Sequence, residues 1–430
     1  MTDETTHLVA LDKWHVWHPF TQMRDWCAPD HEPLVLVSGD GAVLRDSRSR
    51  EYIDGNSSIW TNLHGHNHPK INAAIREQLD AVAHTSFLGF TNPPAIKLAA
   101  ELLKIAAPNR LTRVFFSDDG STAIEVAIKM SVQYFQLIGQ PHRNRFVAFA
   151  NAYHGDTLGA ASLGGVGIFH DRFASHCFPV ERVTSIDELN ELENSETFAA
   201  VAIEPLIQGA AGMKLWPRRM LAKLRSWCDA HGVLLICDEV MTGFGRTGTM
   251  FASLQENIAP DFLALAKGLT GGYMPLAATL TTERIFEAFL GEAHEQKTFY
   301  YGHSYAGNQL ACAAALANLA IFRDENVLEN LQPKIALLSE LLNNLQQHKN
   351  VSETRQCGFI AGIDVARSDG SPFDWTELIG ARVCVAARKH GLLTRAIRDT
   401  IVLMPPYCIT AEQLCRAVAA IEQAITEICG

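Results

Sequence analysis

The sequence predicts an α/β protein with one large central domain, built on a mostly parallel sheet, and a small α+β domain assembled from both termini. Three observations carry this expectation. Five short apolar runs recur through the middle of the chain, at Arg113–Ser117, Arg145–Phe149, Ala200–Glu204, Gly232–Cys237 and Phe262–Ala266. They are apolar at consecutive positions, as strands covered on both faces must be, instead of alternating like strands with one wet face. Helix-length amphipathic segments separate them, and the two ends of the chain differ in texture from the middle. The implied division is 1–64, 65–320 and 321–430, with the first and last segments forming the small domain.

Taken in order, Met1 to Asp12 is polar and acidic, with neither a basic start nor an apolar stretch, so no secretory signal is expected. Glu32–Val37 and Ala42–Arg45 alternate around the turn residues Gly39-Asp-Gly41, which predicts two short paired strands. The alternating histidines of His64-Gly-His66-Asn-His68 suit a metal only if other ligands adjoin them. None does, and Pro69 opens the amphipathic pattern Ile71, Ala74, Ile75, Leu79. A loop entering a helix is expected there, and no metal site. After the first run, Ile124, Ala127, Ile128, Val132 and Phe135 fall on one helical face, and Glu125 and Lys129 form an i,i+4 pair on the other. Ala311 to Phe322 reads as one continuous helix, and two long helical patterns flank Gly358–Asp364 near the C-terminus.

Composition bounds the function. The chain has 430 residues, 47% of them hydrophobic, and a net charge of −11. That is enough apolar material for a large core, and an acidic balance argues against an electrostatic grip on nucleic acid or an anionic membrane. No run nears the roughly 18 apolar residues of a membrane span. Ten cysteines are scattered singly, several inside apolar runs. They read as free thiols in a reducing, cytoplasmic compartment.

The polar residues that end these runs point to the chemistry. Ser117-Asp-Asp-Gly-Ser121, Asn151-Ala-Tyr-His-Gly-Asp156, Glu204-Pro-Leu-Ile-Gln208, Asp238-Glu239 and Lys267 each follow one run. Ligands of open parallel sheets bind outside the carboxyl ends of the strands, so these groups should converge on one crevice. Alone, Lys267 could be a solvated loop lysine. Desolvated, it becomes an amine nucleophile toward a carbonyl. Asp238 follows a fully apolar run, where an acid is costly unless it meets a cation. A protonated pyridine nitrogen is such a cation, and an amine plus an acid is the pair that pyridoxal phosphate requires. Gly120 and Ser121 stand where a helix should begin, a natural phosphate site, although plain capping by Ser121 is also possible. Tyr153 could stack on a flat ring. Gly243-Phe-Gly-Arg-Thr-Gly248 matches a dinucleotide fingerprint, but Asp238-Glu239 and three more residues separate it from the apolar run, and Thr247-Gly-Thr-Met250 opens a helix poorly. A nicotinamide oxidoreductase is therefore a distant alternative.

Asp238-Glu-Val-Met-Thr-Gly-Phe-Gly-Arg-Thr-Gly248, Pro260-Asp261 and Ala266-Lys-Gly-Leu-Thr-Gly-Gly272 together resemble the signature of class III aminotransferases, pyridoxal-phosphate enzymes of fold type I. The resemblance extends over nearly the whole chain and implies a mostly parallel seven-stranded sheet. Trp17-His-Pro-Phe-Thr-Gln-Met23 and Leu403-Met-Pro-Pro406 resemble the members that convert 8-amino-7-oxononanoate to 7,8-diaminononanoate in biotin biosynthesis. S-adenosylmethionine is the implied amino donor, with lysine an alternative.

Carried onto this chain, the resemblance makes Lys267 the cofactor-bound lysine, Asp238 the partner of the ring nitrogen, Gly120 and Ser121 the phosphate loop, and Tyr153 the stacking residue that also meets substrate. Phe20, Ile59, Trp60, Gly302 and Arg395 fall at substrate positions, with Arg395 on the substrate carboxylate. His303 and Ser304 fall in a segment that reaches the phosphate from a partner subunit, which implies a homodimer. Phe20 replaces a tyrosine and Ile59 a tryptophan of some members, Asp119 a common serine, and Arg398 a frequent glycine. Another class III transaminase, taking an ω-amine or ornithine with pyruvate or 2-oxoglutarate, and an aminomutase of the same fold are the nearer alternatives.

Overall fold

The computed structural model describes residues 4–430. The first strands form a meander of β1 (Leu36–Asp40), β2 (Val43–Asp46) and β3 (Glu51–Asp54). β1 starts at Leu36, later than the alternation at Glu32 suggests: its ladder with β2 ends at the Leu36–Asp46 pair, and beyond it Val35 O accepts from Ser47 N at 2.8 Å without continuing the ladder. A helix at Glu4–His15 precedes them; the polar N-terminal sequence carries no clear signal for it, and its Leu8, Leu11 and Trp14 stay exposed.

The middle of the chain supplies β4 (Arg113–Ser117), β5 (Arg145–Phe149), β6 (Val180–Val183) and β7 (Phe198–Ile203). A two-residue ribbon follows, β8 (Ile207–Gln208) with β9 (Lys214–Leu215), and then β10 (Leu234–Asp238), β11 (Phe262–Leu265) and β12 (Ala277–Thr281). Seven of these make one sheet in the order β4-β12-β11-β10-β7-β5-β6. β11, β10, β7, β5 and β6 pair in parallel, and β12 runs antiparallel between β11 and β4. All five runs read from the sequence are strands of this sheet. β6 and β12 are additions: Val180–Val183 holds two charged residues, and Ala277–Thr281 is rich in alanine and threonine, so neither announces itself as an apolar run.

Two-sided burial explains the unbroken apolar runs. Ala200, Ala202, Leu234, Ile236, Phe262 and Ala264 face the helix Gly120–Leu137. Their neighbours Val201, Ile203, Leu235, Cys237, Leu263 and Leu265 face the other layer, which includes the helices Met220–His231 and Gln309–Asp324. Each residue of a strand therefore removes apolar area from water on one side or the other. The helix Gly120–Leu137 buries Ile124, Ala127, Ile128 and Phe135 as expected. Glu125 does not pair with Lys129. It accepts from Thr157 Oγ1 (2.5 Å), Gly159 N (2.7 Å) and Ala160 N (3.2 Å), while Lys129 Nζ lies 4.7 Å above the Tyr301 ring. Three donors, two of them backbone amides that need a partner, outcompete one flexible solvated lysine.

The last part of the chain adds β13 (Val351–Cys357), β14 (Ile360–Val365), β15 (Leu392–Leu393), β16 (Arg395–Ile397) and β17 (Thr400–Leu403). β15 joins β3 in parallel, completing the sheet β1-β2-β3-β15, and β13-β14-β17-β16 form another. Residues from both termini thus share one sheet. Arg246, wholly buried, ties loops together by donating to Asn62 O and Pro405 O, each at 2.9 Å. The dinucleotide-like segment around it is a run of turns with Gly245 and Gly248 at φ +92° and +94°, and it opens no helix. All ten cysteines are free, no helix among the described residues is long and apolar enough to cross a membrane, and none of them form a metal-binding group of His, Cys, Asp or Glu.

Glu239, directly after β10, holds the loop that leads to Ser253. Its buried carboxylate accepts from Ala252 N (2.6 Å), Ser253 N (2.8 Å) and Thr242 Oγ1 (3.1 Å). Glu239→Ala leaves two buried amides unpaired at about 1–3 kcal/mol each. Thermal unfolding should show an apparent Tm several degrees lower for Glu239→Ala, with Glu239→Gln between it and the parent.

Candidate active site

The parallel strands all point their carboxyl ends at one crevice, and the polar residues that follow them line a cavity of about 420 Å³. Gly120 and Ser121 come from the turn after β4, Tyr153 and His154 from the loop after β5, and Glu204 from the end of β7. Asp238 comes from the end of β10 and Lys267 from the end of β11. The convergence expected from five separate stretches of sequence is therefore present.

Asp238 is buried at the middle of the group. Its Oδ2 is 2.7 Å from His154 Nδ1, and its Oδ1 accepts from Val240 N at 3.1 Å. Burial alone would pull the His154 imidazole below its ordinary value, but the Asp238 carboxylate outweighs it and the net shift is upward. His154 Nε2 is buried with no hydrogen-bond partner. His154 stands in the Asn151-Ala-Tyr-His-Gly-Asp156 stretch, but nothing in the sequence assigns it to Asp238, since the histidine lies in the loop after β5 and its carboxylate at the end of β10.

Glu204 closes the same face. It accepts from Gly209 N (2.9 Å) and Tyr153 N (3.1 Å), and burial pushes its carboxyl up to about 7. Lys267 enters from the other side at φ +45°, a left-handed conformation that is costly for a side-chain-bearing residue and is typical of functional positions. Burial pulls its ammonium down to about 8, and the carboxylates of Asp238 and Glu204 oppose that shift. Its Nζ sits 4.6 Å above the Trp60 ring. Tyr153 donates to Asp156 Oδ2 at 2.8 Å; burial and that carboxylate raise its phenol.

The helix N-terminus is built differently from the simplest reading. Asp119, not Ser121, caps it: the Asp119 carboxylate accepts from Thr122 N at 2.9 Å, and Thr122 Oγ1 accepts from Asp119 N in return. That turns the extra anion onto its own helix. Ser121 Oγ instead accepts from Asp156 N at 3.1 Å. A Cβ on Gly155 would lie 2.1 Å from that oxygen, and one on Gly120 would lie 2.7 Å from Val240 Cγ1. Only glycine allows these backbones so close, and the closeness keeps the helix N-terminus open to an anion.

Trp60 lines the cavity, but Ile59, its neighbour, is exposed. Both lie on a single left-handed turn, Ser57–Trp60, with φ between +46° and +68°; each residue in that conformation costs about 1–2 kcal/mol. Phe20 is exposed and touches the rim, 5.6 Å edge-on to Phe169, which packs 5.8 Å from Tyr153. His303 Nε2 comes within 3.5 Å of Asp118 at the mouth. Gly302, Ser304 and Arg395 are exposed and lie outside this chain's own cavity lining.

An amine made nucleophilic by burial, a buried acid beside a strand end and an open helix N-terminus match the three reactive parts of pyridoxal phosphate: aldehyde, ring nitrogen and phosphate. The residues fit that group. Fold and site define a pyridoxal-phosphate enzyme of fold type I, and residues 27–425 match the family model "Aminotransferase class-III", so the chain belongs to the class III aminotransferases. It is an aminotransferase, and its cofactor is pyridoxal phosphate.

Its relatives narrow the class. The chain is 44% identical to adenosylmethionine-8-amino-7-oxononanoate aminotransferase of Geobacter sulfurreducens, over 99% of both chains. It is 47% identical to the enzyme of that name from Nitratidesulfovibrio vulgaris, over 99% of this chain and 82% of the relative. The crystal structure of the Methanocaldococcus jannaschii enzyme of the same name superposes with a TM-score of 0.96 at 40% identity, covering 99% of this chain and 100% of the other. A PLP-bound amine transaminase from an uncultivated Pseudomonas species superposes at 0.90 with 34% identity, over 97% and 99% of the two chains.

The depressed Lys267 ammonium has a measurable consequence. The deprotonated amine is the nucleophile, so its capture of an aldehyde speeds up with pH until the amine is fully deprotonated. In cofactor-free protein, the rate of pyridoxal phosphate uptake should level off above about pH 8, not near the ordinary 10.5. Stopped-flow absorbance against pH measures it.

Proposed function

We propose that this protein transfers an amino group to 8-amino-7-oxononanoate, giving 7,8-diaminononanoate for biotin biosynthesis, with S-adenosylmethionine as donor and lysine as the alternative donor. Near-full-length identity of 44% to a relative named for this reaction carries the reading. When bound, pyridoxal phosphate supplies an aldehyde that takes the amino group and a ring that accepts the electron pair left when the donor carbon loses its proton.

The chain's own residues do the rest. Lys267 Nζ holds the cofactor and, once released by the donor amine, takes the proton from the donor's amine-bearing carbon and later returns one to C7 of the acceptor. Its lowered basicity suits both directions of that traffic near neutral pH. Asp238 keeps the ring nitrogen protonated, and His154 orients the Asp238 carboxylate. The N–H groups at Gly120 and Ser121 hold the phosphate, and Tyr153 lies against the ring.

Trp60, Phe20 and Ile59 bind the substrates, and Arg395 takes the oxononanoate carboxylate with a two-pronged guanidinium. Gly302, His303 and Ser304 serve the cavity of a second copy of this chain, so the working unit is a homodimer. The exposure of Gly302 and Ser304 outside their own cavity supports this, as do exposed Trp17, Leu88, Phe90, Tyr300 and Tyr305, apolar surface of the kind a partner covers. The missing hydroxyl at Phe20 keeps a second reading in view, a class III ω-transaminase using pyruvate or 2-oxoglutarate.

Two measurements test this. Lys267→Ala should lose the visible absorption band of the cofactor-loaded protein and reduce turnover by roughly a thousandfold or more, of order the contribution of a nucleophile that is also the general base; a surviving band rules Lys267 out. Mixing the yellow protein with adenosylmethionine should bleach that band. Bleaching by lysine alone moves the donor assignment to lysine, and bleaching by neither, with turnover on an ω-amine and pyruvate, selects the second reading.

A further inference from the structure

The histidine-rich stretch His64-Gly-His66-Asn-His68 joins no group of His, Cys, Asp or Glu that could hold a metal among the described residues, and none of its histidines lines the cavity. Its middle histidine is nonetheless connected to the site. His66 and Asp54 both lie outside the cavity lining, and both are tied to the turn that carries Trp60.

Asp54 ends β3 and is 2% exposed. Its Oδ1 accepts from Ser58 N (3.0 Å) and Asn56 N (3.3 Å), and its Oδ2 accepts from Ser58 Oγ (3.0 Å) and lies 2.9 Å from His66 Nε2. Four partners occupy the acceptor sites of a carboxylate. The Asn62 amide lies 3.2 Å from His66 Nδ1, which leaves the ring proton on Nε2, facing Asp54. The His66 backbone is pinned by a reciprocal pair of hydrogen bonds with Gly41, and a Cβ on Gly39 would come within 2.8 Å of the His66 side chain. His66 therefore has little freedom to leave Asp54.

On the other side of Asp54 stands the left-handed turn Ser57–Trp60. None of its four residues is glycine, so this backbone persists only where its surroundings hold it. Further side-chain bonds reach it: Trp60 Nε1 donates to Asn56 Oδ1 at 2.8 Å, Ser57 Oγ to Met404 O at 2.7 Å, and Thr61 Oγ1 to Ser58 O at 3.1 Å and Ser57 O at 3.3 Å. The Asp54 carboxylate reaches Asn56 and Ser58, the residues on either side of Ser57. A continuous path runs from His66 through Asp54 and the turn to the Trp60 indole beside Lys267.

We propose that Asp54 and His66 are positioning residues for amino transfer: their hydrogen-bonded pair clamps the Ser57–Trp60 turn in its left-handed form and so holds the Trp60 ring where the substrate must lie. Without the clamp, Ser58 and Ile59 relax toward ordinary backbone and the indole leaves the cavity wall. Neither residue touches the reacting atoms. The proposal rests on the reading that Trp60 meets the substrate, and the test separates the two.

The test uses the cofactor-loaded protein and four variants: Trp60→Ala, His66→Ala, His66→Gln and Ser58→Ala. His66→Ala should raise the KM for 8-amino-7-oxononanoate about tenfold, the weight of one hydrogen bond to a charged group, with kcat changed much less and the visible cofactor band retained. His66→Gln, whose amide can still donate to Asp54, should recover most of that loss. Ser58→Ala, at an exposed position that does not threaten folding, should raise KM severalfold. Hydrogen exchange of the peptide spanning 54–62 should quicken in His66→Ala and Ser58→Ala, while the helix Gly120–Leu137 keeps its protection. If Trp60→Ala leaves KM unchanged, the reading of Trp60 as a substrate contact fails. If Trp60→Ala raises KM while His66→Ala and Ser58→Ala do not, the clamp is overturned. A KM rise in His66→Ala without faster exchange at 54–62, or without rescue by His66→Gln, overturns it as well.

Discussion

Burial of Asp238 at the carboxyl end of the central strand β10 is the constraint on which the rest of this structure depends. An ionised carboxylate in an apolar sheet is tolerated only with partners, and the fold supplies them from outside β10: His154 from the loop after β5, and Val240 N from the turn that follows. The carboxylate still lines the cavity, where a ring nitrogen can meet it. Each neighbouring strand has to end at the same level for that arrangement to exist, and parallel pairing with β7 and β11 aligns those ends.

Electrostatics in the cavity follow from the same burial. Glu204 and Lys267 are both pushed toward neutrality, the carboxyl to about 7 and the ammonium to about 8, so near neutral pH each can gain or lose a proton at little cost. These shifts oppose the folded state in a definite direction. The raised Glu204 costs stability increasingly as pH climbs from the ordinary carboxylate range through about 7, and the depressed Lys267 does so as pH falls from the ordinary 10.5 through about 8. Burying these two groups accordingly lowers stability, and the apolar layers on both faces of the sheet offset it. The −11 net charge is no guide to this region, where a helix N-terminus and a lysine offer anions a local partner.

Much of the candidate site was legible in the sequence, and the reason is chemical. Lys267, Asp238, Gly120, Ser121 and Tyr153 each follow an apolar run, and a polar group in that place is unusual enough to be read residue by residue. Less was legible where function depends on side chains meeting across strands. His154 belongs to Asp238 only because β5 and β10 flank β7. Asp119 and Ser121 both stand where a cap for the same helix could lie; backbone geometry gives the cap to Asp119 and leaves Ser121 to Asp156 N. Glu125 has the spacing of half a surface pair, yet three donors at the start of the helix Leu158–Leu163 claim it. The positive φ angles of Ser57–Trp60 have no sequence signal, because none of those residues is a glycine.

The sequence by itself determined the class of fold, the strand runs and the polar residues that line the cavity, since periodicity and residue chemistry are local properties that survive without coordinates. Tertiary structure alone decided which groups hydrogen-bond one another, which face buries each strand residue and how the Trp60 turn is held. Those depend on distances between segments far apart in the chain, and on the desolvation that only the packed layers impose.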